Sequence, residues 1–297
     1  MESVELAEAG SMRRMFRVGN IVGMSSAVLL LTLGAGVNTL HTCPMLYGFD
    51  ACRWMTFCVV LFYLQAMANF FLVRFTYRRN EVSKWIEKVS LPQRLVDRFK
   101  FCVLCNSGKP RRSYHCHSCG ICTLRCDHHC FCSGACIGIA NQRYFIVWIF
   151  WSILAVAVTV PYMYEYVQQY AVRSEFFGYV GYFPPIAIIR SFFGCESLST
   201  AMVISLLYLE AYVGSMAAVL LVAQVFYVLN GFTLYEYHFL RNHAKKPVKG
   251  DGGTASQRLQ LIFGQHWYLS FIFPQPFRPT QLTPEIIENL FDDGGDP

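Results

Sequence analysis

Long apolar runs alternate with polar stretches along the chain of 297 residues. Three of these runs cover residues 18–40, 54–72 and 144–164, and a fourth, longer run covers residues 197–235. A helix needs about 20 apolar residues to cross a bilayer core about 30 Å thick. The pattern therefore predicts four membrane-spanning helices.

Composition supports this prediction, because 54% of the residues are hydrophobic and only 15% are charged. Soluble domains carry about 25% charged residues. Pro184 and Pro185 interrupt the apolar stretch before the fourth run, so we predict no fifth span there. Glu2, Glu5 and Glu8 argue against a cleaved signal peptide, which would begin with a basic region.

Basic residues are distributed unevenly among the polar stretches, and this indicates the orientation. The stretches after spans one and three hold few of them, namely Arg53, Arg173 and Arg190. The other polar stretches hold many more, including Arg13, Arg14, Arg17, Arg74, Arg143, Arg241, Lys245, Lys246 and Lys249. Cytosolic loops carry the excess of Lys and Arg. We therefore predict that both ends and the central polar stretch are cytosolic, and that the lumenal end of the fourth span lies near Glu210.

Nine of the 13 cysteines fall between Cys102 and Cys136, in this central stretch. The potential ligands follow the pattern Cys102-x2-Cys105, His115-Cys116-x2-Cys119-x2-Cys122, Asp127-His128-His129-Cys130 and Cys136. Cysteine pairs at this spacing wrap a tetrahedral zinc ion from a tight turn, and the cytosol keeps such thiols reduced. From spacing alone, a purely structural zinc module with spare cysteines remains open. Nucleic acid, which often binds zinc modules, is not expected to bind one held between two membrane spans.

The same segment resembles the DHHC cysteine-rich domain of protein S-acyltransferases almost position by position. The match includes Lys109-Pro110-x-Arg112 before the histidines, and Gly138, Asn141 and Phe145 after them. Two later stretches are similar to further motifs of that family, Thr233-Leu234-Tyr235-Glu236 and Phe263-Gly264 with Trp267 and Phe273-Pro274. The resemblance implies an all-α polytopic membrane protein, with four transmembrane helices and a small cytosolic two-zinc domain between helices 2 and 3.

These observations divide the chain into five segments. They are residues 1–76, the cytosolic N-terminus with helices 1 and 2; 77–99, an amphipathic linker; 100–143, the zinc domain; 144–236, helices 3 and 4 with a lumenal loop; and 237–297, a cytosolic C-terminal region. Within the last segment, we expect residues 244–256 to form a flexible linker and residues 282–297 to form a disordered acidic tail.

The family resemblance, and not the spacing, implies two interleaved sites for zinc. One Zn²⁺ would be held by Cys102, Cys105, His115 and Cys122, and the other by Cys116, Cys119, His129 and Cys136. This assignment leaves Cys126, Cys130 and Cys132 without a metal. Both sites have four protein ligands and are therefore closed, as structural zinc sites are.

Carried over from the family, Cys130 is the nucleophile, His128 is its base and Asp127 orients the base. Residues two apart on an extended segment share a face. His128 and Cys130 can therefore face one another while His129 turns toward its zinc. The thiolate would attack the thioester of an acyl-CoA such as palmitoyl-CoA, and the acyl group would then pass to a cysteine of a membrane-associated protein.

Acyl-CoA is thus expected as the acyl donor, and basic residues near the zinc domain are candidates for binding its phosphates. The candidates are foremost Lys109, Arg112 and Arg143, followed by Lys100, Arg111 and Arg125. For each of them singly, a charge that faces water or lipid headgroups is the competing interpretation. The expected partners are membrane-associated proteins and the lipid bilayer of an endomembrane, either Golgi or endoplasmic reticulum.

The chain departs from the family pattern around Cys130, which indicates a divergent branch. Phe131 and Cys132 stand where most members have Pro-Trp, and Gly134-Ala135 replace a usual pair of asparagines. Leu234 replaces the second Thr of a Thr-Thr-x-Glu motif. Because these changes surround the active residues, a catalytically weak or inactive membrane scaffold that binds client proteins is the alternative function.

Overall fold

The structure is a computed structural model that describes residues 2–89, 91–171, 178–240, 250–252, 254–274 and 284–291. Within these residues, four helices have the length and apolar composition needed to cross a membrane. They comprise Arg14–Tyr47, Arg53–Asn80, Gln142–Tyr170 and Leu198–Asn230. The predicted fold class is confirmed: the chain is mostly helical, with four candidate spans and a cysteine-rich region between the second and third.

The elements follow one another in the order α1 (Glu2–Val37), α2 (Cys43–Tyr47), α3 (Arg53–Thr76), α4 (Val82–Val89), α5 (Gln93–Val96), β1 (Lys100–Cys102), β2 (Ser107–Lys109), β3 (Ser113–Cys116), β4 (Ile121–Leu124), β5 (His128–Cys130), β6 (Ala135–Ile137), α6 (Gln142–Tyr170), α7 (Pro184–Phe192), α8 (Leu198–Asn230), α9 (Ala255–Phe263), α10 (Leu269–Ile272) and α11 (Pro284–Phe291). Short 3-10 turns cover Tyr77–Asn80 and Tyr179–Tyr182, and π-helical turns cover Asn38–Thr42 and Glu236–Leu240.

The chain forms two compact units. The first comprises Met1–Ala27, Ala68–Trp148 and Val222–Pro297, and it contains the cysteine-rich segment. The second comprises Val28–Met67 and Ile149–Leu221.

In the first unit, the cysteine-rich segment folds into three antiparallel hairpins, β1–β2, β3–β4 and β5–β6. Their registers place potential metal ligands opposite one another, for example His115 opposite Cys122 and His129 opposite Cys136. An isolated two-stranded hairpin has little stability in water. Cross-links between the hairpins are therefore needed to hold this segment together.

The predicted amphipathic linker, residues 77–99, folds within its described part as α4 and α5. Val82, Trp85 and Leu95 are buried, and the indole Nε1 of Trp85 donates a hydrogen bond of 2.7 Å to the carbonyl of Arg79. Apolar residues on one face of a short helix favour packing of that face.

Two stretches that we expected to be flexible are ordered where the structure describes them. Residues 244–249 lie outside the described residues, but Asp251 is buried and Thr254 caps the start of α9. The predicted disordered tail contains α11, and the ring of Phe291 stacks on Phe99 with 6.2 Å between centroids. For the residues that the structure describes, these expectations were wrong, because Asp251 and Phe291 contact residues distant in sequence.

In the second unit, a disulfide joins Cys43 to Cys52 in the stretch between the first two spans. Both cysteines are buried, and Met55 and Val59 pack with them in one apolar cluster. The composition of the chain did not predict this bond, because most of its cysteines lie elsewhere.

Glu210 lies inside α8, which begins at Leu198. It is 3% exposed, and its Oε2 accepts a hydrogen bond of 2.7 Å from Thr159 Oγ1. Gly34 leaves room for the carboxyl group, because a Cβ at that position would overlap Oε1. A buried polar group needs a hydrogen-bond partner, and Thr159 provides one for Glu210.

Candidate metal centres and reactive cysteine

Two hairpins, β1–β2 and β3–β4, bring together the first of two groups of potential metal ligands, namely Cys102, Cys105, His115 and Cys122. Their ligand atoms all lie within 4.8 Å of one another. The Nδ1 atom of His115 lies 3.6, 3.2 and 3.8 Å from the three sulfur atoms.

Hairpins β3–β4 and β5–β6 bring together the second group, namely Cys116, Cys119, His129 and Cys136. Here the Nδ1 atom of His129 lies 3.5, 3.4 and 3.6 Å from the three sulfur atoms. Each group thus draws its ligands from two hairpins, and β3–β4 contributes to both. This sharing is the interleaving that the family resemblance implied.

The distances fit a tetrahedral zinc ion. Zinc binds thiolate sulfur at about 2.3 Å and imidazole nitrogen at about 2.0–2.1 Å. At a tetrahedral angle these bond lengths place nitrogen and sulfur about 3.5 Å apart. The observed nitrogen–sulfur distances lie between 3.2 and 3.8 Å. Both groups could therefore hold a metal ion, and their three thiolates and one imidazole favour zinc.

Asn20 of α1 fixes the ring of His129 from outside the second group. Its Oδ1 accepts a hydrogen bond of 2.9 Å from His129 Nε2, and its Nδ2 donates one of 3.1 Å to Ser118 Oγ. With the proton held on Nε2, the lone pair of Nδ1 points at the three sulfur atoms. Hydrogen bonds of this kind orient metal-binding histidines.

Strand β5 separates its two histidines. His129 faces the second group of ligands, whereas His128 Nδ1 lies 2.7 Å from Asp127 Oδ2. The Cys130 side chain shares the face of His128, because side chains alternate along a strand. The extended conformation that we predicted for residues 128–130 is present, because these residues form β5.

Asp127 is buried and is held by groups from distant parts of the chain. Its Oδ2 accepts a hydrogen bond of 2.8 Å from Gln224 Nε2, and its Oδ1 accepts one of 2.7 Å from the backbone N–H of Leu234. Burial opposes the charged form, but the hydrogen bonds from His128, Leu234 and Gln224 outweigh it. The pKa of Asp127 is therefore held below its usual value, and the carboxylate stays charged beside His128.

A buried network of charges lies next to this carboxylate. Arg112 donates from Nε and Nη2 to the two carboxylate oxygens of Glu236, at 2.6 and 2.8 Å, and its Nη1 lies 2.9 Å from Asp251 Oδ1. Arg125 donates to Asp251 from Nε and Nη2 and to Gln142 from Nη1. Burial opposes charge on Asp251, but the two arginines outweigh it and hold its pKa below the usual value.

Residues 233–236 join this network to the segment that contains Cys126 and Asp127. Thr233 Oγ1 donates a hydrogen bond of 2.9 Å to the carbonyl of Cys126, and the Thr233 N–H donates one of 2.9 Å to Glu236. The neighbouring N–H of Leu234 binds Asp127 as described above. Leu234 contributes here through its backbone, so the departure from Thr at this position leaves that contact intact.

Three of the residues suggested for the phosphates of CoA, namely Arg112, Arg125 and Arg143, are not presented to solvent. Arg112 has 1% of its side chain exposed, and its guanidinium group is paired with Glu236 and Asp251. We therefore correct its role from binding phosphate to stabilising the fold. Arg143 is buried, and its Nη2 donates to the Tyr144 hydroxyl at 2.6 Å. Lys109, in β2, is half-buried and stays a candidate.

Cys130 lies at the end of β5, beside the exposed thiol of Cys132. Cys130 is 9% exposed. The hydrogen bond with Cys132 and burial together raise the pKa of Cys130 above its usual value. The thiol therefore needs a neighbouring base to become a nucleophile. A cleft lined by Asp127 and His128 is also bounded by Tyr114, Leu234 and Tyr235.

Sequence reasoning missed three residues that hold the site, namely Asn20, Gln224 and Asp251. Asn20 and Gln224 are polar residues inside apolar runs, and such residues within a membrane span usually have a partner. That signal could have found them. Asp251 lies in a stretch of glycines and charges, which gave no indication of burial.

We expect Asp251→Asn to lower the free energy of unfolding by about 3–5 kcal/mol, because it leaves two buried guanidinium groups without their shared carboxylate. Chemical denaturation in detergent measures this. The control is Asp50→Asn, because Asp50 and its partner Arg53 are both exposed. An exposed ion pair contributes little to the free energy of unfolding. Equal stability of the two variants would contradict the role of Asp251.

Comparison with known proteins identifies the region that contains the site. Residues 95–240 match a family model described as DHHC palmitoyltransferase. Palmitoyltransferase ZDHHC22 of Rattus norvegicus is 32% identical over 176 residues, which are 57% of this chain and 64% of that protein. Palmitoyltransferase PFA3 of Saccharomyces cerevisiae is 26% identical over 181 residues, 61% of this chain and 48% of that protein. The chain thus spans less than two thirds of the length of these relatives.

Proposed function

We propose that this chain, which carries a domain of the DHHC palmitoyltransferase family over residues 95–240, is a protein S-acyltransferase. It transfers palmitoyl or a similar fatty acyl group from acyl-CoA, through an acyl-enzyme on Cys130, to cysteines of membrane-associated proteins. The observation that carries the proposal is the contact between Asp127 and His128, at the start of the strand that ends at Cys130.

In the first stage, Asp127 accepts the N–H of His128 Nδ1 and leaves Nε2 free to take the proton of the Cys130 thiol. The thiolate attacks the carbonyl carbon of acyl-CoA, a new carbon–sulfur bond forms, and the bond to the CoA sulfur breaks. His128 returns the proton to the departing CoA thiolate. One thioester replaces another, so positioning and supply of the thiolate are the main tasks of the site.

In the second stage, the thiol of a substrate protein attacks the Cys130 thioester. His128 takes the proton of the incoming thiol and returns it to Cys130 as the thioester breaks. The acyl group then resides on the substrate, and the free thiol of Cys130 is restored. Water in place of the substrate thiol would release the fatty acid, a slower side reaction.

The two Cys₃His groups would hold zinc, and zinc at such closed sites supplies folding free energy. Four protein ligands leave no position for water or substrate, so the residues that act on the acyl group are those of Asp127, His128 and Cys130. Lys109 and Lys100, at the paired ends of β2 and β1, are the basic residues that we retain as candidates for the phosphates of CoA.

We also propose that the zinc domain, residues 100–143, faces the cytosol and that both ends of the chain do so. The Cys43–Cys52 disulfide supports this orientation. It lies between spans one and two, whereas the zinc domain lies between spans two and three, so the bilayer separates them. Disulfides persist in oxidising compartments and free thiols in reducing ones, which fits an endomembrane with its lumen beside Cys43.

We expect Cys43 and Cys52 to be paired in the protein as isolated from membranes. Mass mapping after alkylation without reductant should find them unlabelled, and Cys43→Ser should make Cys52 the newly labelled site. Cys58, a free thiol in α3, is the control. Labelling of Cys52 in the wild type would contradict the disulfide and remove its support for the orientation.

Acyl-enzyme formation tests the proposed activity. The purified full chain is incubated with labelled palmitoyl-CoA, and the label that hydroxylamine releases is mapped by mass spectrometry. We expect it on Cys130, followed by transfer to a cysteine peptide tethered to the membrane. A chain that binds client proteins without ever carrying such a label would instead be the inactive scaffold suggested by Phe131 and Cys132.

A further inference from the structure

We propose that one face of α1 positions the turn that follows Cys130. This face, the helix-1 seat, consists of Phe16, Gly19, Asn20, Gly23 and Met24. The inference rests on the proposed function, since it concerns the placement of the proposed nucleophile. These residues do not reach the reacting atoms themselves, so they are positioning residues.

The spacing of the seat is that of a single helical face. Residues three, four and seven positions apart lie on the same side of a helix, and Gly19 and Gly23 are four apart. In membrane proteins, two small residues at this spacing form a shallow groove that lets another backbone approach closely. In this chain the groove of α1 receives the turn from Phe131 to Gly134.

The closest approach is at Gly23. A Cβ at that position would lie 2.5 Å from the carbonyl oxygen of Phe131, 2.8 Å from its carbonyl carbon and 3.2 Å from the N–H nitrogen of Cys132. These are backbone atoms, which cannot swing aside as the end of a side chain can. Any side chain at position 23 must therefore displace the peptide that follows Cys130.

The ring of Phe131 packs against Phe16 and Gly19 of the seat. It stacks on Phe16 with 6.2 Å between centroids and 17° between planes. A Cβ on Gly19 would lie 3.2 Å from two carbons of this ring. The ring also meets His129 edge-on at 5.0 Å. Phe131, a departure from the family pattern, thus fits a groove that this chain provides.

Gly134, at the end of the turn, lies against Met24 of the seat. Its φ of +58° is a left-handed conformation that favours glycine. A Cβ there would lie 2.5 Å from Met24 Sδ. Asn20 completes the face through its hydrogen bond to His129 Nε2. The residues before and after Cys130 are therefore held by the same side of one helix.

The consequence concerns the orientation of the Cys130 thiol relative to His128. A misplacement of about 1 Å can cost roughly 100-fold in rate. A shifted turn would move Cys130 while the two metal groups, fixed by four ligands each, stay in place. The seat thus links the position of helix α1 to the rate of acyl-enzyme formation.

The test compares two alanine substitutions in α1. Gly23→Ala introduces the clash with the Phe131 peptide, whereas Gly36→Ala places a Cβ where nothing lies within 4 Å. Both remove a glycine from the helix and gain the same intrinsic helix propensity. We expect Gly23→Ala to lower the rate of acyl-enzyme formation at saturating palmitoyl-CoA by roughly 10- to 100-fold, with unchanged KM and zinc content. Gly36→Ala should match the wild type.

A second pair of variants guards against general destabilisation. Gly19→Ala meets only the Phe131 ring, so Gly19→Ala with Phe131→Ala should recover most of the rate lost by Gly19→Ala alone. Gly23→Ala with Phe131→Ala should not recover, because the obstacle there is backbone. Equal rates for Gly23→Ala and Gly36→Ala, or equal recovery in both double variants, would contradict the proposal that the helix-1 seat positions the turn.

A readout that does not depend on acyl transfer separates this inference from the proposed function. The rate at which iodoacetamide alkylates Cys130, followed by peptide mapping, reports the surroundings of the thiol. We expect Gly23→Ala to change this rate and Gly36→Ala to leave it unchanged, even in a chain that forms no acyl-enzyme. Equal alkylation rates in the two variants would contradict the proposal that the helix-1 seat positions the turn. Absence of the acyl label alone would contradict only the proposed activity.

Discussion

Cys130→Ser is expected to abolish the hydroxylamine-labile acyl label while the protein retains two zinc ions per chain. The label disappears because serine lacks a thiol that His128 can deprotonate near neutral pH. The zinc content stays constant because eight other residues form the two groups of ligands. Labelling with palmitoyl-CoA and elemental analysis of the same sample measure both quantities.

The matched control for this variant is Cys195→Ser, since Cys195 is a free and exposed thiol. It should keep both the acyl label and the two zinc ions. Loss of one zinc ion in Cys130→Ser would mean that Cys130 is a ligand and that another cysteine is the nucleophile. Persistence of the label at Cys130→Ser would place the acyl group on a different residue, with exposed Cys132 the first to map.

The two adjacent histidines should fail in different ways when each is replaced by alanine. His129→Ala removes one of four ligands from the second group, and zinc at structural sites contributes about 10–16 kcal/mol in small domains. That is comparable to the whole usual stability of a domain, about 5–15 kcal/mol, so the hairpins should come apart. His128→Ala should keep both zinc ions and lose the rate by roughly 10²- to 10⁴-fold, the usual contribution of a general base.

Zinc content and thermal unfolding in detergent distinguish the two outcomes, and single-turnover acylation gives the rate. His115→Ala should behave as His129→Ala does, because it is the imidazole of the first group. His266→Ala, an exposed histidine of the C-terminal region, should leave every quantity unchanged. If His128→Ala and His129→Ala bind zinc equally and unfold at the same temperature, the separation of roles along β5 is wrong.

The membrane spans and the metal ligands could be predicted because their signals are local. A span is a matter of apolar length, and each cysteine pair sits within one hairpin, so neighbouring residues carry the information. The family resemblance added the interleaving of the two groups, which spacing alone left open. The alternation of His128, His129 and Cys130 also follows from the strand period of two.

The failures share one cause, which is a partner that lies far away along the chain. Arg112 was predicted to bind phosphate, but its side chain pairs with Glu236 and Asp251, which lie more than a hundred residues later in the chain. Asp251 itself looked like part of a flexible linker. Local composition describes what a residue prefers, and it does not contain the identity of the group that meets it.

By itself, then, the sequence determined how many helices could cross a membrane, which residues form the two groups of potential metal ligands and which cysteine follows the Asp127–His128 pair. Only the tertiary structure decided what holds Asp127 in place, which carboxylates neutralise the buried arginines, and that two glycines of α1 receive the turn after Cys130. The physical reason is that burial and close approach are properties of pairs. A glycine is needed, and a buried charge is stable, only where the fold brings the second member of the pair against it.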